Sequence, residues 1–175
     1  LENPHHPERL QAYLNLIEDE KAGARERVTE QAKRYLAGYP QVFTPNRLEL
    51  VAEQHLRLSL PIENIMDEVV LLYNQIREFE GDFQKNYRFT LHFDEEAVNQ
   101  IIEEALQRDS TASAICLGIS RDFDYGFKLI HDRCGQTDFI MPRKAVLQPG
   151  VYLDELIREN YRKHPLDTPN PQQPA

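Results

Sequence analysis

The chain has 175 residues, of which 41% are hydrophobic and 28% charged, enough for one good-sized domain or two small ones with a real core. Its 29 acidic residues outweigh 20 basic ones, for a net charge of -9, which argues against a broad phosphate-binding face and hence against a nucleic-acid partner. No apolar run approaches the ~18 to 20 residues that span a bilayer, so no membrane partner is expected.

The N-terminus, Leu1-Glu2-Asn3-Pro4-His5-His6-Pro7, lacks the basic and apolar stretches of a signal peptide and has no initiator Met. The chain reads as a segment of a longer, cytoplasmic protein. Cys116 and Cys134 are too few for a disulfide framework and have no zinc-type spacing, which fits thiols in a reducing compartment.

Along the chain, Leu10, Tyr13, Leu14, Ile17, Ala24, Val28, Ala32, Tyr35 and Leu36 share one helical face, and Gly38-Tyr39-Pro40 stops it. Thr44 before Pro45 is an N-cap with Pro at the first helical position, and that helix is expected to run to Leu60, before Pro61. Ile62, Ile65, Met66, Val69, Val70, Tyr73 and Ile76 recur at three and four, with Phe79 following and Gly81 expected to close the helix. Tyr87 to Phe93 alternates apolar and polar side chains, the pattern of a half-buried strand. Asp94 caps a fourth helix whose stripe is Ala97, Val98, Ile101, Ile102, Ala105 and Leu106.

Beyond Asp109 the pattern weakens. Asp122 to Gly126 is ambiguous, and Phe127-Lys128-Leu129-Ile130 begins a short helix ending at Cys134-Gly135. Phe139-Ile140-Met141 is a short strand that Pro142 places at an edge. Leu147 to Gly150 reads as a turn, and Val151, Leu153, Leu156 and Ile157 mark a last helix. From His164 on, four prolines in twelve residues indicate a disordered tail.

No phosphate-binding loop of the form Gly-x4-Gly-Lys-Ser/Thr is present. Ile65-Met66-Asp67-Glu68 has the acidic end of a nucleotide-site strand, but the residues sit inside a helical stripe and read as surface carboxylates. A metal-dependent hydrolase could use His131-Asp132 with His55 or His92 and Asp154, provided these side chains converge. His131 stands three residues before Cys134, the spacing a thiol nucleophile and its base would need on one helical face. The basic and aromatic residues from Arg121 to Arg133 would stack bases, yet Asp122, Asp124 and Asp132 interrupt them, which favours core packing with a solvated edge.

From Asn64 to Asp109 the order helix, loop, strand, Asp-capped helix resembles the C-terminal small subdomain, or helical lid, of Clp-type AAA+ ATPases, ClpX and HslU in particular. Phe93-Asp94-Glu95-Glu96-Ala97 and the helix to Arg108 match that family's strand end and Ala-rich helix. Leu72 to Glu80 is similar to its entering helix. The family continues with Gly-Ala-Arg-Gly-Leu-Arg, whose first Arg, the sensor 2 residue, reaches the nucleotide phosphates. Here Asp124-Tyr125-Gly126-Phe127-Lys128 stands in its place, with Tyr125 where that Arg falls. A phenol does not replace a charged guanidinium fork, which leaves Lys128 or Arg121 to substitute.

The expected fold is therefore α+β, mainly α, with a small sheet of two or three strands. Residues 1–61 form an N-terminal helical arm or insertion without counterpart in the family, residues 62–163 a lid-like domain, and residues 164–175 a Pro-rich tail. The resemblance implies a lever that packs on a neighbouring AAA+ core domain or subunit. ATP would be bound by the parent protein, an ATP-dependent unfoldase, chaperone or protease subunit, with no catalytic activity in this segment. The alternatives are a stand-alone helical module that binds a protein partner, and an enzyme with its own site.

Overall fold

The computed structural model describes residues 6–165; the Pro-rich tail beyond Pro165 and the first five residues lie outside them. The fold is α+β and mainly helical, with one two-stranded parallel sheet. The elements are α1 (His6–Leu36), α2 (Pro45–Leu58), α3 (Ile62–Tyr87), β1 (Thr90–Phe93), α4 (Glu95–Arg108), α5 (Ala112–Ile119), α6 (Phe123–Cys134), β2 (Asp138–Met141), α7 (Arg143–Leu147) and α8 (Pro149–Lys163). The chain divides into two compact units. One holds the residues up to Gln75 together with Ile102–Ala112; the other holds Ile76–Ile101 and the residues from Ser113 onward.

In the first unit α1 begins earlier than its apolar stripe, because Pro7 in the first turn has the φ a helix wants and no N–H to lose. Ala24, Val28 and Ala32 are fully buried, and α2 packs against this face with Val51 and Ala52 also buried. Arg25 on α1 and Glu49 on α2 form an ion pair at 2.7 Å. The Thr44 hydroxyl accepts from Arg47 N–H at 3.4 Å, with Pro45 in the first turn, as the sequence indicates. α2 ends at Leu58 rather than Leu60: Ser59 takes the left-handed C-cap position (φ 54) and donates its N–H to His55 O at 3.0 Å. Pro61 disfavours helical backbone in the residue before it, which accounts for the early stop. Arg47 is wholly buried, with Nη1 donating to Val42 O at 2.6 Å and the guanidinium lying 5.2 Å from the Tyr73 ring centre.

α3 does not stop at Gly81. Its stripe continues through Ile76, Phe79 and Phe83, of which Ile76 and Phe83 are buried, and that burial carries the helix past the glycine to Tyr87. Arg88 then adopts a left-handed backbone (φ 67), its N–H donating to Gln84 O at 2.9 Å. The strand expected from Tyr87 accordingly starts at Thr90. Its alternation is kept, with Leu91 and Phe93 buried and His92 exposed.

β1 pairs in parallel with β2 over Thr90↔Asp138, Leu91↔Phe139, His92↔Ile140 and Phe93↔Met141. Asp94 N–H donates to Met141 O at 3.0 Å, and Asp94 Oδ1 accepts from Ala97 N–H at 2.8 Å, which makes Asp94 both the end of the ladder and the N-cap of α4. The weak region after Asp109 folds as α5, and the ambiguous Asp122–Gly126 stretch belongs largely to α6, which starts at Phe123. Phe127 lies stacked on Phe139 with ring centres 3.8 Å apart, joining α6 to the sheet. Gly126 faces α8 at close range, since a Cβ there would lie 2.5 Å from Leu153 Cδ1. Leu147 to Gly150 is not a plain turn: α7 ends at Leu147, and Pro149 opens α8 after the single intervening residue Gln148.

Candidate functional site

The largest cleft among those described in the second unit has a volume of about 560 Å³. It is lined by Asn86, Tyr87, Arg88 and Phe89 from the end of α3 and the link to β1, by Asp124, Lys128, His131 and Asp132 from α6, and by Thr137. Helical spacing explains the α6 contribution, because residues 124, 128, 131 and 132 recur on one face. The left-handed Arg88 turns the chain sharply between helix and strand, which brings Tyr87 and Phe89 to the same opening. Phe89 meets the His131 ring edge-on at 5.9 Å, and His131 Nδ1 lies 3.3 Å from Gln136 O.

Arg88 and Lys128 make no ion pair among the described residues, and neither do Asp124 and Asp132. The cleft thus presents two cations, two carboxylates and an imidazole beside two aromatic rings. Such a lining orients a ligand of mixed charge; it does not concentrate positive charge as a dedicated triphosphate site does.

The three residues singled out from the sequence are close in the chain but face different spaces. Lys128 lines the cleft just described. Arg121 lines a smaller cavity of about 250 Å³ with Gly118, Ile119, Asp122, Phe123, Pro149, Gly150 and Leu153. Tyr125 projects from α6 with 66% of its surface exposed and lines neither. Tyr87, Arg88 and Phe89 read from the sequence only as the start of a strand, not as cleft residues. Their role at the cleft depends on a left-handed residue that is not glycine, and no sequence signal marks that conformation at an arginine.

The histidines weighed for metal chemistry have local partners. His55 Nδ1 lies 2.6 Å from Leu60 O, and His92 Nδ1 lies 3.2 Å from Glu80 Oε2. Among the described residues no group of three His, Cys, Asp or Glu side chains is placed to hold a metal ion. The Cys134 thiol donates to Ile130 O at 3.4 Å and accepts from Asn160 Nδ2 at 3.4 Å. The Cys116 thiol is pushed up to about 12, first by burial and then by the negative charge of Glu80, which holds it in the neutral thiol form at neutral pH.

Glu80 organises a second polar cluster. Its Oε1 accepts the Phe93 N–H at 2.8 Å and pairs with Arg77 at 2.8 Å, while Oε2 faces His92. The carboxylate thereby satisfies the free edge of β1 and ties it to α3. On the other strand, Tyr152 OH donates to Ile140 O at 3.2 Å. Side chains therefore occupy backbone groups on both outer edges of the sheet.

Fold and site together define the class: a mainly helical α+β protein with a short parallel sheet and a mixed-charge cleft beside it. No protein-family model, no curated protein and no solved structure matches the chain. Among the described residues no helix is long and apolar enough to cross a membrane.

Proposed function

We propose that the chain is a C-terminal lid-type region of a cytoplasmic, Clp-like AAA+ ATPase, coupling the nucleotide state of an upstream ATPase core to ring assembly and protein unfolding. The observation that carries this reading is the passage from β1 through the Asp94 cap into α4, with β2 returning parallel to β1 after α6. A lid works as a lever and needs a stiff joint where strand becomes helix. Asp94 provides one by bonding β2 on one side and capping α4 on the other. On this reading ATP is held by the parent protein's core, and Lys128 or Arg121 takes over from the absent sensor 2 arginine at Tyr125. Neither makes an ion pair among the described residues, and Lys128 is the first to test because it lines the larger of the two clefts.

The test is made on the parent protein. A Gly-x4-Gly-Lys-Ser/Thr motif is expected upstream of Leu1, and a parent without one ends the reading. In such a parent, Lys128→Ala should lower ATP turnover by about tenfold. Tyr125→Arg should tighten nucleotide binding. Unchanged turnover and affinity in both variants would remove the site assignment. A second reading, a stand-alone helical interaction module, is favoured by the exposed Leu10, Tyr13 and Leu14 on α1. It predicts a parent with no ATPase core at all.

A further inference from the structure

α1 is much longer than the helix laid against it. At 1.5 Å per residue its 31 residues extend about 46 Å, whereas the 14 residues of α2 extend about 21 Å. The covered part is the C-terminal half, where Ala24, Val28 and Ala32 are buried. The apolar stripe does not end there. Leu10, Tyr13, Leu14 and Ile17 continue it at helical spacing, with Leu10 50%, Tyr13 62% and Leu14 46% exposed. An apolar stripe on an otherwise charged helix suits packing against a second helix.

We propose that the α1 tip, Leu10 to Glu20, docks on the same tip of a second copy of this chain, the two helices running antiparallel. Charge and register select this occupant. Aligned in parallel and in register, the seam would set Glu20 of one copy against Glu20 of the other. Aligned antiparallel with the crossing between Tyr13 and Leu14, Leu10 packs on the second copy's Ile17, and Tyr13 packs on its Leu14. Arg9 and Glu20 border the stripe on the same side, so this register brings each copy's Arg9 within reach of the other's Glu20, once at each end. Neither residue makes an ion pair among the described residues. Opposed helix dipoles favour the same orientation. Two tips of this size bury less than the roughly 1,600 Å² of a standard interface, so the dimer is weak and concentration-dependent. The inference is independent of the lid reading.

Sedimentation equilibrium of the full chain over a concentration series tests it, and a reversible monomer–dimer equilibrium is expected. Leu14→Glu should raise the dissociation constant at least about tenfold while leaving the circular dichroism spectrum unchanged. Arg9→Glu and Glu20→Arg should each weaken self-association, and mixing the two variants should restore it, because each offers the charge the other lacks. In a Cys134→Ser background, a disulfide should form between a Leu10→Cys chain and an Ile17→Cys chain, and within neither variant alone. A chain that stays monomeric at every concentration overturns the proposal. So does a dimer indifferent to Leu14→Glu, or Leu10→Cys chains that crosslink to one another.

Discussion

A single side chain holds the second unit together at a place where the backbone alone would fail. Glu80 accepts the Phe93 N–H, which β1 cannot satisfy on that edge, and its charge is balanced by Arg77. Glu80→Ala should cost about 1–3 kcal/mol, the penalty for an unpaired buried donor, read as a lower urea midpoint. Gly126 is a different kind of requirement. A Cβ there would lie 2.5 and 2.9 Å from the Leu153 methyl carbons and 2.9 Å from its Cγ, so the whole Leu153 side chain must move. Gly126→Ala should therefore destabilise by about 1–3 kcal/mol through overpacking, although alanine is the better helix former. A stabilised Gly126→Ala protein would show that α6 and α8 separate easily. Glu80 was legible as a helical carboxylate, but its partner Phe93 is thirteen positions away, and no local pattern announces that pairing.

At the scale of elements, the interiors of α3 and α4 follow from periodicity, whereas no pattern announces α5. Thr44-Pro45 and Asp94 mark the starts of α2 and α4 because the capping hydrogen bond is local. The ends were harder to read. Gly81 has the form of a helix terminator, yet α3 runs six residues further because Phe83 finds a buried place. Its Cβ position is open and its φ is not in the left-handed region, so Gly81 fills no conformational need. Gly81→Ala should then stabilise the protein by about 0.5–1 kcal/mol, seen as a higher urea midpoint with an unchanged slope. A loss of stability would mean that the glycine is needed for a bend. Leu147–Gly150 departs from its turn pattern for the complementary reason. Pro and Gly side by side mark turns, but Pro is equally at home in a first helical turn, and Pro149 opens α8.

For the molecule as a whole, the two thiols report folding separately. Cys134 is exposed and Cys116 is buried, so a disulfide reagent at neutral pH should label one thiol quickly and the second only on unfolding. Rapid labelling of both would show that the core around Cys116 opens readily. Burial, followed by the charge of Glu80, raises the Cys116 thiol from its ordinary 9.0 to about 12. The unfolded chain releases this proton above about pH 9 and the native state holds it, so the contribution is intact below that pH. As pH rises from 9 toward 12 it is lost, at up to about 1.4 kcal/mol per pH unit. Alkaline unfolding curves should therefore be steeper for the native sequence than for Cys116→Ala.

By itself, the sequence determined the helical class, the faces of α3 and α4, the caps at Thr44 and Asp94 and the two strands, because each depends on residues within a turn or two of one another. Only the tertiary structure decided that the strands pair in parallel, that α3 overruns Gly81, and that Lys128, Arg88 and His131 share a cleft while Arg121 faces another cavity. Those outcomes depend on burial and on contacts between residues distant in the chain. Periodicity records which way a side chain faces, and packing alone selects what it meets.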